Sequence, residues 1–193
     1  KMSKSKKNVV DPQEIIENYG ADTARFFMLS DSPPNRDMEW SDAGIEGSWR
    51  FLNRLWKFVI SLPKDKKSDV SSMNISKKNR ELLTIMNTSI QEVTKAIDDF
   101  HFNLAVASVR SLFNSLSSFK INNNDDITVV KYVTKNLLIL INPMVPHIAE
   151  ELWSRLENKD IIAYERWPKI DLNYTKKNKV KMPIQVNGKV RAI

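Results

Sequence analysis

The chain opens on Lys1-Met2-Ser3-Lys4-Ser5, two ammonium groups three residues apart with small hydroxyl side chains between and after them. No apolar periodicity runs through residues 1–8, and the serines favour turns, so the stretch reads as a loop. Cations and hydroxyl donors on a loop suit a polyphosphate, with lysine acting as a movable point charge. When an α-phosphate is attacked, negative charge builds on the departing pyrophosphate, and cations that close on it lower the barrier electrostatically. The same five residues also describe a solvated basic tail, and alone they do not choose between the two.

Few other residues offer chemistry by type and spacing. The only histidines are His101 and His147. His147 follows Pro146 in what reads as the first turn of a helix, where packing or capping is the ordinary role, and His101 reads as a loop residue. No cluster has zinc-ligand spacing, no serine-histidine-acid constellation can be supported from spacing, and cysteine is absent, which rules out disulfides and thiolate metal sites. Trp49, Trp56 and Trp153 lie on apolar helical stripes and read as core, while Trp40 and Trp167 read as freer. Arg25, Arg50, Arg54 and Arg110 sit on predicted helices and could meet RNA phosphates. Salt bridges at helical spacing, Arg25 to Asp22 or Arg50 to Glu46, are an equal use for the first two.

Thirty Lys and Arg against 23 Asp and Glu give a net charge of +7. That excess favours a polyanionic partner. It fits equally well a lysine-rich surface, because Lys64, Lys66, Lys67, Lys77 and Lys78 fall where loops or helix starts are solvated. No apolar run approaches the roughly 20 residues needed to span a bilayer. No membrane segment, secretory signal or transit peptide is read, and the composition permits a cytoplasmic location. Beginning at Lys1 and ending at Ile193 inside an apparent strand, the chain reads as an excised piece.

The elements that must position these groups are mostly helices. Asp11 can cap a first helix with Pro12 at its first position, Glu14 at its third and Gly20 closing it after Tyr19. A second helix is predicted over residues 21–29, stopped by Pro33 and Pro34. Ser41 is a cap for a long third helix with the stripe Ile45, Trp49, Leu52, Trp56 and Val59. After a charged, Ser-rich linker over 64–74, Ser76 caps a fourth with Leu83, Met86, Ile90, Val93 and Ile97. A break over 100–103 precedes a fifth with Val109, Leu112, Phe113, Leu116 and Phe119. The polar run 122–126 reads as its exit loop. Two more helices follow, over 127–141 and after Pro146, the last carrying Ile148, Leu152 and Leu156. Residues 161–167 and 180–186 read as extended, and Asn187-Gly188 is the favoured pair for a two-residue hairpin turn. The fold class is therefore mainly α: an antiparallel helical bundle, a short N-terminal remnant of another unit, and a small C-terminal β element.

The opening pentapeptide, Asn8 to Pro12 and the run Tyr19-Gly20-Ala21-Asp22-Thr23-Ala24-Arg25 together resemble the class I aminoacyl-tRNA synthetases of the leucyl, isoleucyl and valyl group. The pentapeptide is similar to the KMSKS signature, and the later segments to the stem-contact region between catalytic fold and helical bundle. Asp31 to Pro34, Glu39 to Asp42, and Glu46-Gly47 followed by Arg50-Phe51-Leu52 resemble the leucyl members. Pro143 to Trp153 resembles the last bundle helix, and Val186 to Arg191 the entry to the leucyl C-terminal domain. Lys7 stands where the family commonly has glycine.

The resemblance implies that Lys4 and Lys1 act in catalysis by contacting ATP phosphates, with Met2, Ser3 and Ser5 shaping the ATP-binding loop. It implies the domains 1–40 (signature loop and stem contact), 41–158 (helical tRNA-binding bundle of the anticodon-binding type) and 159–193 (β segment leading into a C-terminal domain). It implies, for the intact enzyme, ATP with Mg2+ as cofactor, leucine and tRNA(Leu) as partners, and a cytoplasmic monomer. The His-Ile-Gly-His signature of the class is not found in these residues. The piece alone is therefore expected to be inactive and to hold no cofactor, and no metal-ligating residue is assigned. Valyl or isoleucyl specificity, or a free-standing helical RNA-binding module that keeps the motif, are the other readings.

Overall fold

A computed structural model describes residues 5, 9–63, 70, 73, 75–175, 184–186 and 189–192. Lys1 to Lys4, the position of Lys7, most of the predicted linker and the Asn187-Gly188 turn lie outside these residues.

Local signals place the first helices. Asp11 is extended and its carboxylate accepts from the Gln13 N–H at 2.9 Å, so α1 (Pro12–Tyr19) begins with a satisfied donor and a proline whose missing N–H costs nothing there. Gly20, at φ 85°, turns the chain directly into α2 (Ala21–Asp31). Ser41 and Ser76 cap α3 (Asp42–Ile60) and α4 (Lys77–Asp98) by accepting from Gly44 and Asn79 N–H groups, both at 3.2 Å. α5 (Phe102–Ser117), α6 (Asn124–Ile141) and α7 (Pro146–Arg155) complete the helices among the described residues.

The start of α6 differs from the expected exit loop over 122–126. The helix begins at Asn124 because Asn123 accepts from the Asp126 N–H at 2.9 Å, and Asp125 and Asp126 favour the positive end of the helix dipole. Polar caps and polar loops use the same residue types, and here the cap prevails.

α4 packs most extensively on α5, α6 covers both, and α2 lies against α3 and α5. One core results. Phe26 of α2 is fully buried and stacks on Phe51 of α3 (centroids 5.1 Å apart, 6° between planes), and Phe113 of α5 meets Phe51 and Phe58 edge-on. Val93, Val109, Leu112, Val133, Leu137 and Leu152 from four helices fill the rest. Each such burial is worth about 1.5–3 kcal/mol relative to exposure. Gly44 lets α3 approach α2 closely, since a Cβ there would lie 2.5 Å from the Phe27 ring.

The stripe on α3 is corrected by the packing. Its buried side runs through Ile45, Ser48, Phe51, Leu52, Leu55 and Val59, whereas Trp49 is 43% exposed and Trp56 is only half-buried. Each tryptophan follows a core-facing residue by one position, roughly 100° around the helix, which puts it at the rim. Trp153 is buried as expected and donates to the Asp160 carbonyl. Trp40 and Trp167 are both tethered rather than free: Trp40 donates to Asp42 and packs edge-on against Phe27, and Trp167 donates to Thr94 Oγ1 at 2.8 Å.

Beyond α7 the expected extended segment over 161–167 contains a 3-10 turn at Ile162–Tyr164 instead. Ile162 is buried against the bundle with its N–H on the Glu150 carboxylate, so the segment is shaped by α7 and not by a neighbouring strand. A second such turn spans Leu172–Tyr174 and leans on α4. Farther on, β1 (Ile184–Val186) pairs antiparallel with β2 (Lys189–Ala192), with a register shift between Ile184 and Gln185.

Candidate functional site

Of the five loop residues, Ser5 is described and is exposed; Lys1, Met2, Ser3 and Lys4 fall outside the described residues. What the structure defines is the support behind that loop. α1 begins seven residues after Ser5, and Gly20 hands α1 to α2 with no intervening loop. α2 then docks on the turn between α6 and α7.

That docking is made by charge at helix ends. Asp22, 9% exposed, bridges two groups: its Oδ2 accepts from the Ile148 N–H at 2.6 Å, and its Oδ1 lies 2.9 Å from His147 Nδ1. Ile148 is the third residue of α7, among the first-turn N–H groups that lack an intrahelical partner, and Val145 offers no side-chain cap. The acid supplied by α2 is therefore the cap of α7. One turn farther along α2, Arg25 donates from Nε to the Met144 carbonyl at 3.1 Å and from Nη2 to the Pro143 carbonyl at 2.9 Å, just past the C-terminal end of α6. An anion faces the N-terminus of α7, the favourable sign, and a cation satisfies two carbonyls of the turn that leads into it.

The other arginines divide. Arg50 is exposed and pairs with Glu46 at 3.4 Å, and Arg54 is exposed over the Phe113 ring with a long contact to Asn114. Arg110 is half-buried, 5.0 Å above both Phe26 and Phe51, and donates to Ser48 Oγ. Burial lowers its guanidinium pKa. Its charge lies over the two core rings and on the Ser48 hydroxyl. Arg50 and Arg54 thus remain on one exposed face of α3, while Arg25 is turned to the α6–α7 connection.

A cleft of about 320 Å³ opens beside the docking point, lined among others by Tyr19, Asp22, Trp49, Asn53, Trp56 and Ile148. Sequence reading placed the two tryptophans in the core and so missed this cleft. It also missed the pairing of Asp22 with His147, which are 125 residues apart. The helical position of His147 was legible, but no local pattern specifies so distant a partner. Among the described residues no group of three histidine, cysteine or carboxylate side chains could hold a metal ion.

A family model described as the anticodon-binding domain of tRNA ligase matches residues 79–193. The chain belongs to this family. A second model, for class I tRNA synthetases of the I, L, M and V group, matches residues 1–41, the part that holds the loop, α1 and α2. Among curated relatives of this anticodon-binding family member, a leucine–tRNA ligase of Paramagnetospirillum magneticum is 42% identical over 100% of the chain and 22% of its own length. Another, from Brachyspira hyodysenteriae, is 44% identical over 99% of the chain and 23% of its own length. The chain therefore spans between a fifth and a quarter of these relatives. The fold superposes with a TM-score of 0.84 on the LeuRS of Agrobacterium radiobacter, solved as a ternary complex with tRNA and LeuAMS, at 28% identity over 99% of this chain and 25% of that one. A methionyl-tRNA synthetase of Mycobacterium tuberculosis shares the fold at a TM-score of 0.63 and 21% identity, over 79% of this chain and 35% of that one.

Proposed function

We propose that this chain is the part of a leucine–tRNA ligase that carries the phosphate-binding signature loop and the helical tRNA-binding domain. The intact protein activates leucine with ATP and transfers it to tRNA(Leu). The observation that carries this reading is that relatives named leucine–tRNA ligase match 99–100% of the chain at 42–44% identity. The catalytic family's match ends at residue 41, near the start of α3. Residues 1–40 then serve as loop and stem contact, 41–158 as the bundle, and 159–193 as the lead into a C-terminal domain.

In this reading Lys4 and Lys1 neutralise charge that accumulates on pyrophosphate as the leucine carboxylate attacks the α-phosphate, and Met2, Ser3 and Ser5 shape the loop that brings them there. Arg50 and Arg54 offer charge to the tRNA backbone, and Arg25 supports the turn behind it. The intact enzyme would take ATP with Mg2+; among the described residues no group of three histidine, cysteine or carboxylate side chains could hold a metal ion. No helix among the described residues is long and apolar enough to cross a membrane. The intact enzyme is read as a cytoplasmic monomer.

The test is Lys4→Ala in the intact enzyme, read by leucine-dependent exchange of pyrophosphate into ATP. Loss of one electrostatic contact of this kind costs about 3 kcal/mol of barrier, roughly a hundredfold in rate, with leucine affinity little changed. An unchanged exchange rate would return the lysine to a solvated tail.

A further inference from the structure

We infer that Asp22, Arg25 and His147 form a clamp that fixes the angle between the loop-bearing end of the chain and the helical bundle, and that the transfer of the aminoacyl group to tRNA depends on that angle. The inference rests on the functional reading above and adds to it a set of positioning residues. None of the three touches a reacting atom.

The geometry is specific to one arrangement. Asp22 and Arg25 lie one turn apart on α2 and take hold of one connection at two points, the turn after α6 through Pro143 and Met144 and the start of α7 through His147 and Ile148. Rotating α2 about its axis would withdraw both side chains together. Sliding it by one residue would set Arg25 toward the N–H groups of α7 or Asp22 toward the carbonyls of the connecting turn, and either places like partial charges together. The contacts to backbone atoms hold whatever side chains occupy the turn, and His147 adds the one side-chain partner. Its side chain is 76% exposed, so its contribution is orientation more than burial.

α2 is also the last relay from the loop. α1 contributes no buried residue, and only Gly20 separates it from α2. α1 and α2 therefore turn as one piece. A tRNA body resting on the bundle and an adenylate held beside the loop are brought together by this joint. A tilt of roughly 2° there moves the far end of a helix as long as α3, about 28 Å at 1.5 Å per residue, by about 1 Å. Misplacement of that size can cost on the order of a hundredfold in rate. Activation of the amino acid, completed on one side of the joint, does not need the angle to be right.

The experiment uses the intact synthetase with Asp22→Ala, Asp22→Asn, His147→Ala and His147→Asn. Asn at 147 can present an amide N–H near the place of Nδ1 and is the conservative rescue. Four quantities are measured: leucine-dependent pyrophosphate exchange, kcat and KM for charging of tRNA(Leu), and the melting temperature. The clamp predicts that Asp22→Ala and Asp22→Asn lower the kcat of charging roughly ten- to a hundredfold. KM for tRNA and the exchange rate should stay within about twofold, and His147→Asn should recover most of what His147→Ala loses. Exchange and charging that fall in parallel with the melting temperature would mean a purely structural contact and overturn the inference. A rise in KM with kcat unchanged would make these residues tRNA contacts, and no effect on charging would make the clamp idle; either also overturns it. A wild-type enzyme that charges no tRNA with leucine would overturn the functional reading itself, and the coupling with it.

Discussion

Asp126 is a buried carboxylate held through one of its oxygens. Burial alone would raise its pKa, but the Lys78 ammonium at 2.6 Å and the Asn122 N–H at 2.8 Å outweigh that and hold it below the ordinary carboxylate value. A carboxylate whose folded pKa is depressed stabilises the fold above its unfolded pKa, near 4, and loses that contribution as pH falls through the folded value. Lys78 is partly exposed, so the pair is worth less than a fully buried one. Asp126→Asn should cost about 1–2 kcal/mol at pH 7, and the gap to the native chain should narrow on approaching pH 3. Urea denaturation at the two pH values checks it, and a gap independent of pH would assign the loss to packing. Caps such as Asp11, Ser41 and Ser76 were legible because each bonds a backbone group two or three residues away. Lys78 with Asp126, and Arg25 with the carbonyls 118 and 119 residues on, were not, because nothing local encodes the meeting of distant helices.

At the scale of elements, the helices themselves were the most readable part, since an apolar stripe and a capping residue act within a few turns. The error on α3 shows the limit. Ile45, Leu52 and Val59 are common to the expected and the observed faces, but a stripe about as wide as half the helix does not say which edge turns inward. Phe51 stacking on Phe26 of another helix decides it. Helix ends carry a second lesson. Phe100 (φ 58°) and Glu157 (φ 62°) hold the left-handed conformation past the ends of α4 and α7, where glycine is the usual choice. The Phe100 and His101 N–H groups return to the carbonyls of Ile97 and Ala96 and close α4. Glu157 is exposed, so its replacement loses little contact. Glu157→Gly should relieve left-handed strain of about 1–2 kcal/mol, offset in part by the greater freedom of glycine in the unfolded chain, for a net gain of about 0.5–1 kcal/mol. A lower melting temperature would show that the turn is relaxed with glutamate in place.

For the whole molecule, the exposed cations on α3 and the net charge of +7 suit a phosphate backbone. The chain should therefore bind tRNA weakly, with log affinity falling linearly in log salt by roughly 0.7–0.9 per phosphate neutralised. Discrimination among tRNAs should be modest, because backbone contacts position an RNA without reading it. Titrations at two salt concentrations beside a duplex RNA of equal length test this, and binding that ignores salt would assign the charge to solubility.

The burial of Phe26 separates inheritance from folding. Residues 1–41 and 79–193 match two different families, yet a ring from the first stretch completes the core contributed by the helices that follow. Evolution can exchange modules only along seams that leave no apolar face bare, and residue 41 is not such a seam. Whatever bundle follows this loop must bring its own partner for that phenylalanine, so the two families are bound to change together at α2 even where their chemistry is separate.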